Sequence, residues 1–575
     1  MTEHRPWFSS YPKGIPRSLE PYPEVSVFSL LEGAARRFPD RPATAWFGAR
    51  MSYRELLAAA ERFSAVLDEM DVVKGDRVAF ILPNSPQYVV AFYGAVRLGA
   101  IAVGNNPLYT QREMEHQLSD SGAKVVVCLD SLYPNFAPVF ARLKIEHVIV
   151  TRLTDYMAFP KKQLAPIKLR KAAKAEGKPW PPVASDAPVR WWADLMQAAG
   201  TAPVAATIEP RKDVAALVYT GGTTGVSKGA MLSHFNVTTN ARQAGCWFGD
   251  LIEDGHDALM SVLPFFHSYG VTGSLALAIM FAMKLVIEPR FDLAMVLHDV
   301  AKEKPTLFPG VPRIYQALNE SPETPKHDMR SIKVCVSGAA PLPPVVAEKF
   351  HAVTGGARIV EGFGLTECSP ATHVNPCDGT ARIGTVGLPL PDTDCKIVAL
   401  EEPDRILGVG DAGELCIRGP QVMLGYWQRP SETAAMIRDG WLHTGDVATM
   451  DADGFFRIVD RVKEMIIVSG FNVYPTEVEQ VILRHPAVFK CSVIGVPDEK
   501  TGEAVKAFVV KRPGMDVTAE ELLAWTRDPE RGLTGYRQPR AIEFRDALPE
   551  SVVGKTLRRV LVEEERAKAA AAAQA

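Results

Sequence analysis

Apolar residues recur at helical spacing in "VFSLLEGAARRF" (27–38) and "SYRELLAAAERFSAVLDEM" (52–70), so each segment is predicted to be a helix with one buried face. The pattern then changes. Continuous apolar runs follow in "DRVAFILPNS" (76–85), "AIAVGNNPLY" (100–109) and "AKVVVCLD" (123–130), with a helix-like "QYVVAFYGAVRLG" (87–99) between them. Runs this uniformly apolar leave no face for water, so they predict strands of a largely parallel sheet covered by helices. The same rhythm returns in "ALMSVLPFFHS" (258–268), "KLVIEPRFD" (284–292), "SIKVCVSGAAPL" (331–342) and "ARIVEGFGLTE" (357–367). Glycine-rich turns follow several of these strands, at the sheet ends where α/β proteins receive ligands.

From about residue 383 the texture becomes short strands rich in glycine: "GTVGLPLPDTDCKIV", "GELCIRG" and "GWLHTGDVATMDADGFFRIV". A further unit begins near 460, with strands expected at "CSVIGVPD" and "AVKAFVVK" and a helix at "AEELLAWTRD". The expected fold class is α/β: a large N-terminal domain (1–459) of α/β sheets with a β-rich subdomain (383–459), plus a small α+β C-terminal domain (460–575). The alanine-rich tail "EEERAKAAAAAQA" reads as a frayed or disordered helix.

Composition narrows the function classes. At 575 residues the chain exceeds a single hydrophobic core. Net charge is -3, which gives no global electrostatic case for a nucleic-acid partner. The eight cysteines form no CxxC pair, which argues for free thiols rather than a zinc ribbon or a disulfide framework. No signal-peptide core opens the chain, and the longest apolar run, "LALAIMFAM" (275–283), falls far short of the ~20 residues of a membrane span. The expected location is cytoplasmic.

One segment departs from the mean charge. In "KKQLAPIKLRKAAKAEGKPWPP" (161–182) basic residues dominate, and Trp180, Trp191 and Trp192 follow. It reads either as a solvated basic insertion or as a peripheral contact with anionic membrane through 161–192, on the inner membrane surface.

The candidate chemistry starts at "YTGGTTGVSKGAMLSH" (219–234). A Walker loop would end in GK[ST] and open a helix at once, but here Lys228 is followed by Gly229 and then by a strand-like "AMLS". What remains is a loop of backbone N–H groups, hydroxyls and one lysine able to wrap a polyphosphate. With "EGFGLTE" (361–367), "GWLHTGD" (440–446), "DRVKEMIIVSGFNVYPTEVE" (460–479) and "LPESVVGKTLRR" (548–559) in the same order, the chain resembles the adenylate-forming superfamily of acyl-CoA synthetases, adenylation domains and luciferases. Through "NPLYTQREMEHQLSDSGA", "PQVMLGYWQRP" and "GWLHTGDVATMD" it is most similar to bacterial long-chain fatty acyl-CoA ligases.

The resemblance implies roles residue by residue. Thr220, Gly221, Gly222, Thr223, Thr224, Gly225 and Lys228 would cradle the outer phosphates of ATP, with Thr220 and Glu367 holding Mg2+ through oxygen. Gly338, Ala339 and Ala340 would form a small-residue wall beside adenine, and Glu361, Gly362, Phe363, Gly364 and Thr366 would line the same nucleotide. Phe363 stands where tyrosine is commoner; its ring keeps the stacking and loses a phenol hydrogen bond. Asp446 would accept from the ribose hydroxyls, supported by Arg461. Lys555 would carry adenylation, its ammonium between the acid's carboxylate and the α-phosphate. Because CoA must later reach the same acyl carbon, the small domain would rotate about a hinge at 460–463, with Lys463 as the pivot and Gly470 beside the pantetheine arm. His267 in "LPFFHSYG" would act as a gate or electrostatic aid beside the acyl site. The implied substrates are a long-chain fatty acid, ATP and CoA. A medium-chain or aryl acid, or a carrier protein in place of CoA, is the alternative, and a homodimer through the large domain is also allowed.

Overall fold

The apolar runs assemble into five sheets among the described residues. The computed structural model describes residues 5–175, 183, 188–220, 227–498, 500–528, 533, 535–550 and 556–574, without the side chains of 169, 172, 173 and 569–574. Six parallel strands and one antiparallel strand form the first sheet, ordered Val189–Trp191, His147–Thr151, Val125–Leu129, Arg77–Ile81, Ile101–Gly104, Val214–Thr220 and Lys228–Ser233. All five residues of Val125–Leu129 are buried, as a strand covered on both faces requires.

A second sheet, Ala258–Ser261, Lys284–Ile287, Pro42–Trp46 and Ala49–Ser52, runs toward a third, Val334–Ser337, Arg358–Gly364, Ala371–Val374 and Leu388–Pro389. Leu307 bridges them, pairing in parallel with Leu259 on one side and Val334 on the other. Helix starts carry local signals. Ser52 with Glu55, Thr110 with Glu113 and Ser233 with Asn236 each form reciprocal caps that satisfy otherwise orphan N–H groups.

The β-rich region is an antiparallel sheet of Asp394–Val398, Gly413–Arg418, Trp441–Met450 and Ile437–Arg438, with Phe456–Arg461 paired to Trp441–Met450. Beyond it Phe471–Val473, Ile466–Val468, Gly502–Lys511 and Val488–Asp498 make the last sheet, joined by Ala541–Phe544. That sheet packs its own core, with Ile466, Val478, Val493, Val509 and Leu522 buried together.

Two expectations change. The segment from 161 forms a helix, Lys161–Ala175, and Trp192 points inward: it is 2% exposed and stacks on Phe63 with ring centroids 4.7 Å apart. Trp191 carries the Arg152 guanidinium 4.0 Å from its ring centroid. Trp192 is therefore a core residue and not a lipid anchor, because its ring completes the packing of helix Tyr53–Asp68. The tail continues as helix Arg558–Gln574, anchored by buried Leu561. No helix among the described residues is long and apolar enough to cross a membrane.

Candidate active site

The glycine-rich loop closes a hairpin. Thr220 and Lys228 face each other in register across the antiparallel pair Val214–Thr220 and Lys228–Ser233, so both ends of the loop are clamped at one point of the sheet edge. A strand, not a helix, follows Lys228, which excludes a helix-dipole grip on phosphate there. Gly221, Gly222, Thr223, Thr224 and Gly225 lie outside the described residues. Lys228 Nζ sits 5.1 Å from the Tyr426 ring centroid and 3.9 Å from Glu432 Oε1.

Tyr426 ties this lysine to the candidate metal ligand. Glu367, 8% exposed, lies in the short turn Thr366–Cys368, and its Oε1 accepts a 2.6 Å hydrogen bond from the Tyr426 hydroxyl. Burial, then the Glu367 charge, pushes the Tyr426 phenol up, so it stays a donor. Ser268 Oγ donates to Thr366 Oγ1 at 3.4 Å, joining the same turn to the segment that carries His267. Sequence reasoning took "QVMLGYWQRP" only as a family signature and missed Tyr426 and Glu432. Neither has a composition signal, because their role depends on the pairing of Ala230 with Tyr426 across the chain.

The "EGFG" segment is the end of strand Arg358–Gly364. A Cβ at Gly364 would stand 2.0 Å from the Pro370 carbonyl oxygen, so only glycine lets the strand turn toward Glu367. At Gly362 a Cβ would meet Val336 Cγ1 at 3.0 Å. The Phe363 ring meets His373 edge-on at 5.9 Å. Burial raises the Glu361 carboxyl to about 8, leaving a protonated donor near neutral pH. Gly338 packs toward Tyr269, and Ala339 takes a left-handed φ of 67° in the turn after Val334–Ser337.

Asp446 and Arg461 stand opposite each other on neighbouring strands, Oδ1 to Nε 3.0 Å, with Asp446 3% exposed. The Cys368 thiol is pushed up by burial and then by the charges of Glu367 and Asp446. Sequence-distant motifs thus meet in one region. Lys463 is exposed in the turn Val462–Glu464. Gly470, at φ +82°, occupies a hairpin turn with open space where a Cβ would project. Lys555 lies outside the described residues. The flanking Glu550 and Thr556 bridge each other, and Glu550 reaches Arg313 of helix Pro312–Glu320 at 3.6 Å.

His267 is partly buried, and its Nδ1 accepts from Tyr269 N at 3.2 Å. Burial lowers its pKa to about 4, so the ring is neutral at pH 7. The residues after it form a π-helical turn, Val271–Ala276, a shape that often marks functional positions. That turn lines an apolar cavity of about 50 Å³ whose walls include Trp247, Tyr269, Thr272, Leu277, Phe308 and Val336. Phe308 and Pro309 close it from a second segment, and Asn240, Ala244 and Trp247 from helix His234–Trp247, whose inward face the sequence reading did not anticipate.

Thr220 and Lys228 paired at the ends of a glycine-rich loop, the buried carboxylates Glu367 and Asp446, and an apolar cavity are features that an enzyme acting on a nucleotide and an apolar partner needs. The model of the AMP-binding enzyme family matches residues 31–427, and that of the AMP-binding enzyme C-terminal domain matches 477–555. The chain belongs to this adenylate-forming family. It is 41% identical over 566 residues to a long-chain-fatty-acid–CoA ligase of Bacillus subtilis (strain 168), covering 98% of this chain and 99% of that protein. The match to the protein of the same description from Escherichia coli O157:H7 is 41% over 565 residues, 98% of each. Among solved structures, ATP-bound MatB from Rhodopseudomonas palustris superposes with a TM-score of 0.80 at 30% identity, over 94% of this chain and 99% of that one.

Proposed function

We propose that this protein is an ATP-dependent, AMP-forming long-chain fatty acid–CoA ligase. The observation that carries the reading is Tyr426, whose ring lies 5.1 Å from Lys228 Nζ and whose hydroxyl holds Glu367, tying the loop's lysine to the candidate metal ligand. In the first step a carboxylate oxygen of the acid bonds to the α-phosphorus of ATP, and the bond to the β-phosphate oxygen breaks, releasing pyrophosphate. In the second the CoA thiol bonds to the acyl carbon, AMP leaves with the carbonyl–oxygen bond electrons, and the thiol proton passes to solvent.

In this reading the loop from Thr220 to Lys228 holds the departing phosphates. Lys555 offsets the repulsion between carboxylate and α-phosphate, a directed charge of a kind whose loss costs about 3–4 kcal/mol. Asp446 accepts from the ribose hydroxyls while Arg461 holds its carboxylate. Glu361, Gly362, Phe363, Gly364, Thr366, Gly338, Ala339 and Ala340 form the nucleotide wall. The donors Thr220 and Glu367 are all oxygen, and Glu367 has one oxygen fixed by Tyr426 and another free of hydrogen bonds among the described residues. This hard-ligand set fits Mg2+, which when bound would neutralise phosphate charge. His267, neutral and two residues before the cavity-lining Tyr269, serves as a gate.

The chain divides at 460, and the small domain turns about Lys463 so that Gly470 faces the pantetheine passage in the second step. The separate core of the last sheet supports that division. A peripheral membrane contact rests on helix Lys161–Ala175, where Leu164 and Ile167 are exposed amid Lys161, Lys162, Lys168, Arg170 and Lys171, with Phe159 exposed just before it. A panel of acids from acetate to oleate, plus an aryl acid, with and without CoA, tests the function. Release of AMP that is fastest with long chains and depends on CoA supports it, and preference for aryl or short acids refutes it.

A further inference from the structure

On the strand that also carries Asp446, and on its neighbour, three ligand-type side chains share one face of the β-rich sheet. Cys416 and His443 are direct partners across strands Gly413–Arg418 and Trp441–Met450, and Glu414 lies two residues before Cys416 on the same face. One ligand atom from each falls within 4.8 Å of the others. Cys416 Sγ is 3.4 Å from His443 Nδ1, which is 2.9 Å from Glu414 Oε2. We propose that Glu414, Cys416 and His443 form a binding site for one borderline-soft divalent cation of the zinc class, distinct from the Mg2+ held with ATP.

The geometry is close to what such an ion needs. Tetrahedral zinc with ordinary bond lengths puts sulfur and nitrogen roughly 3.6 Å apart and nitrogen and oxygen roughly 3.4 Å apart. The observed pairs are short of this by tenths of an ångström, so small outward shifts of the Glu414 and Cys416 side chains admit the ion. The other Glu414 oxygen is already oriented, accepting from Gly445 N at 3.0 Å, which is the outer support that metal-binding carboxylates use. A register shift between Glu414 and Cys416 places Gly445 there, and Thr444 Oγ1 locks the bend by donating to the Leu415 carbonyl at 2.7 Å.

Charge and access also fit. Carboxylate and thiolate together neutralise a divalent ion, the thiol proton leaving to solvent on loading. Lys396, opposite Cys416 on the next strand, is drawn over the Trp441 ring at 4.5 Å, which takes its ammonium toward that ring. Cys416 and His443 are buried while the Glu414 side chain is 18% exposed, giving an entry side and room for a fourth, water ligand. A thiolate, an imidazole and a carboxylate favour zinc over Mg2+ or Ca2+.

Cobalt(II) titration of the full-length reduced protein without nucleotide tests this, because a cobalt–thiolate bond gives a charge-transfer absorption that oxygen ligation lacks. One cobalt per chain with that absorption, displaced by zinc and lost in Cys416→Ser, is expected; Glu414→Gln should keep the band at roughly ten- to a hundredfold weaker affinity. Zinc should also raise the melting temperature of the wild type and not that of Cys416→Ser. Absence of the band in the wild type overturns the proposal. So does an undiminished band in Cys416→Ser, which would move the metal to a different cysteine, such as Cys395, 3.5 Å from His373. Catalysis is not the readout, so this outcome is independent of the proposed ligase activity.

Discussion

Replacing Tyr426 with phenylalanine removes one hydroxyl and little else. The ring that lies 5.1 Å from Lys228 Nζ stays, as do the backbone bridge to Ala230 and the Tyr426 N–H bond to Thr433 Oγ1 at 2.8 Å. What disappears is the 2.6 Å bond to a Glu367 carboxylate that is 8% exposed. A hydrogen bond to a charged group contributes about 1.5–3 kcal/mol, and water has little access to replace it here. If Glu367 is the Mg2+ ligand, losing its orientation raises the barrier to adenylation by that amount, about ten- to a hundredfold in rate. Pyrophosphate release measured across Mg2+ concentrations should show a lower maximal rate and a higher half-saturating Mg2+. Unfolding monitored in parallel should show a loss of about 1–3 kcal/mol. A variant with unchanged Mg2+ response and rate would refute the placing of Glu367 at the metal.

Four other outcomes are expected. Lys555→Ala should lose adenylation by some hundred- to thousandfold and still convert supplied acyl-adenylate to thioester, read by separate half-reaction assays. Gly364→Ala should destabilise the chain by well over 1 kcal/mol in denaturant unfolding, because its Cβ would collide with a backbone carbonyl at 2.0 Å, whereas Gly470→Ala, which meets no neighbouring atom but must hold a φ of +82°, should cost about 1–2 kcal/mol and slow the CoA step. His234 is fully buried, accepts from Val27 N through Nδ1 and is lowered by burial to about 4. The unfolded ring titrates near 6.5, so the folded protein should lose up to about 3 kcal/mol as pH falls from 6.5 to 4, and His234→Gln should flatten that slope in thermal melts. Neutralising Lys161, Lys162, Lys168, Arg170 and Lys171 should weaken binding to anionic vesicles by up to about 1 kcal/mol per charge at low salt, and unchanged binding would remove the membrane contact.

Much of the fold was legible because each element announces itself locally. Val125–Leu129 and Ile101–Gly104 read as strands because they are nearly all apolar, and helix Tyr53–Asp68 because its apolar positions keep a helical period. The strand after Lys228 was legible from the missing serine or threonine and the following "AMLS". Long-range partners were not. Tyr426 on Glu367, Glu432 near Lys228 and the Glu414–Cys416–His443 cluster arise from pairings between segments that local pattern does not encode. Trp192 misled for the same reason: a tryptophan beside basic residues suits a lipid interface in sequence, but Phe63, far along the chain, claims its face. Asp446 and Arg461 were each assigned by resemblance, and their direct pairing across the sheet became visible only in three dimensions.

The central claim is that the acid's carboxylate attacks the innermost phosphorus of ATP. The most direct measurement uses palmitate labelled with heavy oxygen in its carboxylate, with ATP, Mg2+ and CoA, followed by mass spectrometry of the phosphate products. The account predicts one labelled oxygen in each AMP and none in pyrophosphate. Label in orthophosphate accompanied by ADP, or unlabelled AMP with palmitoyl-CoA formed, would contradict it.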